Sequence, residues 1–378
     1  MSNINDFVIE NGVLIKYQGP GGDVVIPDGV TRIDDMAFTG CTSLTSVVIP
    51  EGVTSIGWTA FWGCSSLASV VIPKGVTSIG GMAFSDCTSL TSVVIPDSVR
   101  SIGDSAFSCC TSITSVVIPD SVTSIGDSAF YGCFSLAGVV IPESVTEIGD
   151  RAFFRCEKLA DENGFVIIRN VLYSYQGSKT DVVIPEGVTS INDWAFYDCA
   201  SLASIVIPEG VTSIGREAFA GCSSLASVVI PESVTSIGDE AFSYCKSLTG
   251  VVIPEGVKII GKKAFAECDE LCTIIAPSMP LQYFIDEKLD VQAACGFLSA
   301  RELYTDPDEC EKYKKICMSK RKKLLAFIFK LDDAKALSFY IDEKKVTAKN
   351  FDTDYFVPAL QAGAEKCKAL LLEWKEQH

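Results

Sequence analysis

The sequence VVIPEGVTSIGWTAFWGCSSLAS, residues 47–69, decides the fold, because near-copies of it recur every 23 residues. The copies begin at Val24, Val47, Val70, Val93, Val116, Val139, Val182, Ile205, Val228 and Val251, and a fragment at residues 274–277 ends the series. A fixed period of this length is typical of stacked supersecondary units, none of which can bury a hydrophobic core alone. The repeat therefore predicts a solenoid.

Each repeat carries apolar side chains at spacings that indicate two short strands and a turn. Val47 and Ile49 alternate along the chain, as the inward-facing residues of a strand do. Val53 and Ile56 are predicted to point inward across a second extended segment. Residues 60–64 then predict a helical or 3₁₀-like turn that closes the coil.

Two similar segments precede runs of repeats and read as β-hairpins. Residues 7–23, FVIENGVLIKYQGPGGD, place Asn11-Gly12 between two alternating apolar runs, which is a strong signal for a tight I′ turn. Residues 165–181, FVIIRNVLYSYQGSKTD, repeat this pattern with Arg169-Asn170 at the turn. The chain is therefore expected to be duplicated, with one hairpin before six repeats and another before four.

The repeat ends near Pro280, and the composition changes there. Apolar residues in the last part recur at three- and four-residue intervals, which predicts amphipathic helices. Such a region is expected to cover the exposed core of the last coil. The predicted organisation is a capping hairpin at 1–23, coils at 24–161, a second hairpin at 162–181, coils and a partial coil at 182–279, and a helical cap at 280–378.

The net charge of −17 is concentrated in the repeats. Residues 1–279 carry 14 Lys and Arg against 31 Asp and Glu, whereas residues 280–378 carry 17 of each kind. Such an acidic surface repels phosphate backbones, so we expect no nucleic-acid partner. No stretch approaches 18 apolar residues and the amino terminus lacks the pattern of a signal peptide, so we expect no membrane insertion and a cytoplasmic location.

Sixteen cysteines stand in the sequence, and ten of them occupy one repeat position. These ten are Cys41, Cys64, Cys87, Cys110, Cys133, Cys156, Cys199, Cys222, Cys245 and Cys268. The pattern predicts small buried hydrophobes that stay reduced. No zinc or redox spacing occurs, and His378 at the chain end is the one histidine. We therefore expect no metal, no cofactor, no catalytic residue and no enzyme activity.

The combined pattern L-x-x-V-x-IP-x-x-V-x-x-I-x-x-x-AF-x-x-C resembles the BspA-type leucine-rich repeat over about residues 24–279. The resemblance implies a right-handed leucine-rich-repeat solenoid with short parallel strands and short helical or 3₁₀ turns, followed here by a small all-α region. It also implies a noncatalytic role in adhesion or protein binding. Because such repeats are common in bacterial surface proteins, it raises a cell-surface or secreted location as the alternative.

Three sets of side chains are surface candidates. Aromatic residues occupy variable positions near the closing turn and are our first candidates for partner binding: Trp58, Trp62, Tyr131, Phe134, Phe154, Trp194, Tyr197 and Tyr244. A column of Val residues one position after the inward strand residue is expected to face outward, either as a binding face or because Val suits a strand. An acidic residue follows the repeat Pro in nine coils, and we interpret this row mainly as a solvated rim.

The sequence therefore predicts a noncatalytic protein that binds protein partners through the solenoid surface. One alternative is a structural solenoid that assembles with itself through the Val column. Another is an effector whose activity lies in the helical region.

Overall fold

The computed structural model describes residues 3–378, which form two compact units. The first unit ends at Gly177 and the second begins at Ser178. Both hairpins and the coils of residues 24–161 belong to the first unit, while the later coils and the helical region belong to the second.

The first hairpin opens the first unit. Strands β1 (Phe7–Glu10) and β2 (Val13–Tyr17) pair antiparallel, after a 3₁₀ turn at Ile4–Asp6. Asn11 and Gly12 between them have φ of 50° and 77°, the left-handed conformation that a I′ turn requires. The predicted hairpin is confirmed.

The coils of the first unit contribute two rows of short parallel strands. One row comprises β3 (Gly22–Val25), β5 (Leu44–Val48), β7 (Ser69–Val71), β9 (Ser92–Val94), β11 (Ser115–Val117) and β13 (Gly138–Val140). The other comprises β4 (Arg32–Ile33), β6 (Ser55–Ile56), β8 (Ser78–Ile79), β10 (Ser101–Ile102), β12 (Ser124–Ile125) and β14 (Glu147–Ile148). Paired residues in neighbouring strands of a row are 23 positions apart in the sequence, as Val47 and Val70 are. The period of the repeat therefore sets the register of the strands.

The second hairpin closes the first unit. After a 3₁₀ turn at Glu157–Leu159, β15 (Phe165–Ile168) pairs antiparallel with β16 (Val171–Tyr175). Arg169 and Asn170 at the turn have φ of 49° and 64°. The Arg169 guanidinium donates hydrogen bonds to the carbonyl oxygens of Pro142 and Val145, which holds the turn on the last coil of this unit.

The coils of the second unit repeat the same arrangement. Their first row comprises β17 (Asp181–Val183), β19 (Ser204–Val206), β21 (Ser227–Val229), β23 (Gly250–Val252) and β25 (Thr273–Ile275). Their second row comprises β18 (Ser190–Ile191), β20 (Ser213–Ile214), β22 (Ser236–Ile237) and β24 (Ile259–Ile260).

The core of the coils is built from columns of identical side chains. In the first unit the Phe rings from Phe38 to Phe153 stack on one another, with centroids 4.8–5.5 Å apart. The Cys column lies beside them, and from Cys64 to Cys156 each thiol donates a hydrogen bond to a backbone carbonyl of the preceding coil, as Cys87 Sγ does to Phe61 O at 3.3 Å. The repeat cysteines are thus a packing column, as predicted, and Cys41, Cys199 and Cys268 are only half-buried.

Successive backbone amides of the closing turn donate hydrogen bonds alternately to carbonyls of their own coil and to carbonyls of the next coil. The amides of Trp62 and Cys64 donate to carbonyls three residues earlier, at 3.1 and 3.2 Å, which is the bond of a 3₁₀ turn. The amides of Phe61 and Gly63 instead donate to the following coil at 2.8 and 2.9 Å. Left-handed residues such as Thr59, with φ of 50°, make this alternation possible.

Glycine after the second strand lets neighbouring coils approach closely. A Cβ atom on Gly103 would stand 2.7 Å from the Gly81 amide nitrogen and 2.8 Å from the Gly80 carbonyl carbon. Both distances are shorter than real Cβ contacts, so the coil spacing excludes a side chain there.

Helices follow β25 in the second unit. They are α1 (Leu281–Asp286), α2 (Asp290–Ser299), α3 (Pro307–Ser319), α4 (Arg321–Leu331), α5 (Ala334–Asp342), α6 (Val357–Gln361) and α7 (Glu365–Gln377), with a 3₁₀ turn at Arg301–Leu303 and a π-helical segment at Phe351–Phe356. Among the described residues, none of these helices is long and apolar enough to cross a membrane.

Helix α2 covers the last strand. Gly296 lies so close to the Ile274 carbonyl that a Cβ atom there would overlap its oxygen. The Ala276 amide donates to the Tyr304 hydroxyl at 3.1 Å, and the Tyr283 hydroxyl donates to the Gly261 carbonyl at 2.9 Å. These contacts bury the end of the coil core beneath the helices, as a solenoid end requires.

Candidate functional site

The candidate aromatic residues lie at the closing turns, and we call the outer side of these turns the closing-turn surface. Five of the eight predicted side chains are exposed there: Trp58, Trp62, Phe134, Tyr197 and Tyr244, with exposed fractions between 38% and 51%. Large rings exposed to this extent are the side chains that dominate binding energy when a partner covers them.

Trp58 and Trp62 belong to one coil and are held in place without being buried. The Trp58 amide donates to Asp35 Oδ1 at 2.8 Å, and its ring lies against Gly81, where a Cβ atom would stand 3.1 Å from ring atom Cδ1. The Trp62 indole Nε1 donates to Asp86 Oδ2 at 2.9 Å. The hydrogen bond of the Trp62 ring lowers the entropic cost of binding through it.

Tyr131 and Phe154 are half-buried and lie in the first unit. Their rings stack with centroids 6.0 Å apart and planes inclined by 28°. One side of this pair is already covered by the protein, so it offers less new contact area than the exposed rings do.

Trp194, another of the candidate aromatic residues, is buried. Only 8% of its surface is accessible, because the Arg216 guanidinium lies over the ring, 5.5 Å from the centroid. Arg216 Nε is in turn 3.1 Å from Glu217 Oε1. This ring therefore fills space beneath the surface and carries a cation–π contact.

Tyr197 and Tyr244 line a cleft of about 340 Å³ on the closing-turn surface of the second unit. The side chains between them are small, with Ala220 and Gly221 forming part of the lining. Sequence reasoning selected the two tyrosines but not the cleft. The signal available was a coil with small residues at its closing turn between two coils that each carry a tyrosine there.

The Val column is exposed, as predicted. Its members are Val25, Val48, Val71, Val94, Val117, Val140, Val183, Val206, Val229 and Val252, with exposed fractions from 54% to 76%. Each unit thus presents an apolar stripe along its first row of strands. The acidic row is exposed too, and it comprises Asp28, Glu51, Asp97, Asp120, Glu143, Glu186, Glu209, Glu232 and Glu255, with Lys74 in the remaining coil.

The repeat thiols and His378 are two kinds of side chain that could in principle take part in a reaction. Burial raises the pKa of the Cys87 thiol to about 12 and that of the Cys156 thiol to about 12, so neither is a thiolate near neutral pH. His378 at the end of α7 stacks on Trp374, with ring centroids 4.9 Å apart. Residues 3–378 contain no group of three or more His, Cys, Asp or Glu side chains placed to hold a metal ion.

The parallel coils, the stacked Phe column and the period of 23 residues define a leucine-rich repeat solenoid. The chain belongs to the BspA-type leucine-rich repeat family, because the family described as BspA type Leucine rich repeat region (6 copies) matches residues 22–137, 55–163 and 166–286. The resemblance and the fold class predicted from the sequence are confirmed.

Solved structures of bacterial repeat proteins are similar to this chain. A leucine rich cell surface protein from Faecalibacterium prausnitzii is 32% identical, over 76% of this chain and 90% of the other, with a TM-score of 0.47. A leucine-rich repeat protein of T. pallidum is 30% identical, over 59% and 90%, with a TM-score of 0.35. One from Bacteroides ovatus is 25% identical, over 72% and 82%, with a TM-score of 0.44. A search of the curated proteins finds no match.

Proposed function

We propose that this protein is a noncatalytic binding protein that recognises a protein partner through the closing-turn surface. The observation that carries the proposal is the exposure of Trp58, Trp62, Phe134, Tyr197 and Tyr244 at positions that vary between coils. The Phe, Cys and Val residues beneath them hardly change. A fixed scaffold with variable exposed rings is suited to specific recognition.

The size of the exposed rings supports this role. An aromatic side chain covers about 150–250 Å² when buried, and one side of a standard protein interface covers about 800 Å². A few such rings in one unit thus provide a large part of an interface and its strongest contacts. The exposed acidic row adds a field that speeds encounter with a basic partner more than it slows dissociation.

The noncatalytic part of the proposal rests on the family and on the chemistry of the side chains. The repeat thiols stay protonated because they are buried, and the exposed carboxylates recur with the period of the coils. A binding role uses these features, whereas a hydrolytic one would need a nucleophile or an activated water that they do not supply.

A capture experiment tests the proposal. The full chain is immobilised and exposed to source-cell and host-cell extracts, and the retained proteins are quantified by mass spectrometry. We expect Trp58→Ser combined with Trp62→Ser to reduce recovery of a specific partner by at least about tenfold, which corresponds to about 1.4 kcal/mol. Val71→Ser combined with Val94→Ser is the matched control on the strand face, and both variants should melt as the wild type does.

The control separates the leading alternatives. If the Trp variant retains every partner while the Val variant loses one, the Val column is the binding face and the proposal is wrong. Loss in neither variant would also contradict it.

Self-association is the second candidate, favoured by the exposure of the Val column within each unit. An apolar stripe of this length is unusual for a monomer. Sedimentation velocity over a hundredfold range of concentration would reveal it, and Val94→Lys should then abolish the larger species. A sedimentation coefficient independent of concentration would remove this candidate.

The location is also part of the proposal. Sixteen free cysteines favour a reducing compartment, as predicted for a cytoplasmic protein. The similar Faecalibacterium protein is described as a cell surface protein, which supports the alternative. Digestion of intact source cells with a protease decides between the two, since a surface protein is cleaved and a cytoplasmic one is protected.

A further inference from the structure

The cleft lined by Tyr197 and Tyr244 exists because side-chain volume is missing between them. Tyr197, Ala220 and Ser243 follow one another at the repeat spacing of 23 residues, so they occupy the same place in successive coils. Coils are about 4.8 Å apart, and the two tyrosine-bearing turns are therefore about 10 Å apart. The space between them admits one extended side chain but not a folded element.

The backbone at Tyr244 has the left-handed conformation that every coil adopts at this place, with a non-glycine residue also at Asp86, Cys109, Arg155, Asp198 and Glu267. Its φ is 58°, and the same place in four other coils is filled by Gly40, Gly63, Gly132 and Gly221. The conformation belongs to the closing turn itself, which places the Tyr244 ring on its outer side. The Tyr244 amide donates to the Ala266 carbonyl at 2.9 Å, which fixes the turn.

Acidic side chains outnumber basic ones in the lining of the cleft. Asp198, Glu217 and Glu240 line it, and Lys246 is the basic residue among them. Arg216 Nε lies 3.1 Å from Glu217 Oε1, and Lys263 Nζ lies 4.0 Å from Glu240 Oε1. A carboxylate can accept about four hydrogen bonds, so pairing through Oε1 leaves each group able to accept more.

We propose that this cleft binds a cationic side chain of a partner protein, and specifically the guanidinium group of an arginine. A flat cation stacks favourably on the face of a tyrosine ring. A guanidinium also pairs with carboxylates through two parallel hydrogen bonds, which the ammonium of lysine cannot do. The inference names the chemistry of a partner and in that respect rests on the proposed function, but the cleft itself can be tested without any partner.

The probe is the peptide acetyl-Gly-Arg-Gly-amide, with acetyl-Gly-citrulline-Gly-amide as its neutral isostere. Binding to the full chain is followed by NMR of ¹³C-labelled alanine methyl groups. Ala200 and Ala220 line the cleft, and buried Ala60 in the first unit is the control. We expect the Arg peptide to shift the Ala200 and Ala220 signals saturably, and the citrulline peptide to bind at least about tenfold more weakly.

Variants separate ring stacking from charge. Tyr197→Ser combined with Tyr244→Ser should weaken binding of the Arg peptide at least about tenfold. Tyr244→Phe keeps a ring and should change the affinity less than about twofold. Glu217→Gln combined with Glu240→Gln should weaken binding at least about fivefold and reduce its salt dependence. Trp62→Ser, a ring on the first unit, should have no effect.

The inference is overturned if the citrulline or the corresponding Lys peptide binds as well as the Arg peptide. It is also overturned if the Ala60 signal shifts with those of Ala200 and Ala220, or if the Gln variants bind normally. Peptide binding without any captured partner would contradict the proposed function and leave the cleft standing. Captured partners without peptide binding would contradict the inference about the cleft and leave the proposed function intact.

Discussion

Raising the pH from 8 to 10 should destabilise the coils, because their buried thiols can ionise in the unfolded chain but not in the folded one. An unfolded cysteine has a pKa near 8.5, whereas burial raises the pKa of Cys87 to about 12 and holds those of Cys64, Cys110 and Cys133 well above the usual value. Above pH 8.5 the unfolded chain therefore binds fewer protons than the native one. Stability is complete below that pH and is lost as the pH rises toward 12.

The magnitude follows from the same linkage. A thiol that titrates near 8.5 when unfolded and near 12 when folded removes about 2 kcal/mol of stability between pH 8 and pH 10. The first unit holds five fully buried repeat thiols, the four named above and Cys156. Together they remove about 9 kcal/mol, which is comparable to the whole stability of a typical domain.

Urea titrations followed by circular dichroism at pH 7, 8, 9 and 10, with a phosphine reductant present, measure the loss. Cys87→Ala combined with Cys110→Ala is the control, since tyrosines and lysines also titrate in this range. The variant should be less stable at pH 7 but should lose about 4 kcal/mol less than the wild type between pH 8 and pH 10. Equal losses in the two proteins, or many thiols reactive before denaturation, would refute the reasoning.

Five substitutions, two of them controls, test the packing of the coils. Phe107→Ala should cost about 3–5 kcal/mol of unfolding free energy, because the ring is fully buried in the Phe column, while Phe134→Ala at the surface should cost less than about 1 kcal/mol. Gly103→Ala should cost about 1–3 kcal/mol through overlap with the preceding coil, whereas Gly138→Ala, whose Cβ would meet nothing within 4 Å, should change stability by less than about 0.5 kcal/mol. Cys109→Gly should raise stability by up to about 1 kcal/mol, because Cys109 has φ of 58° in a place where other coils have glycine. Urea titrations of the six proteins check these values, and a reversed order within either matched pair, or a loss of stability in Cys109→Gly, would contradict the packing described.

The core could be predicted from the sequence because every coil repeats it. Phe61, Cys64 and Val70 recur at one spacing, and the strand register that buries them is the same 23-residue period. The outward direction of the Val column follows from the alternation of a strand. The form of the closing turn was harder to predict, because its alternating hydrogen bonds depend on left-handed residues such as Thr59 that the side-chain pattern does not mark.

The candidate site could be predicted only in part, because the next coil decides what a variable side chain touches. Trp62 and Trp194 are both variable aromatic residues near the closing turn, yet Trp194 is covered by Arg216 from the following coil. The cleft depends likewise on the small volume of Ala220 between two tyrosines. Such contacts depend on which residues meet from neighbouring coils and not on any single position.

Photo-crosslinking tests most directly the claim that the closing-turn surface binds the partner. The photoreactive residue p-benzoylphenylalanine is placed singly at position 62, 197 or 94 of the full chain, and the protein is irradiated in source-cell and host-cell extracts. The proposal predicts discrete crosslinked products from positions 62 and 197, which lie on the closing-turn surface, and none from position 94 on the Val column. A discrete product from position 94 alone would contradict it.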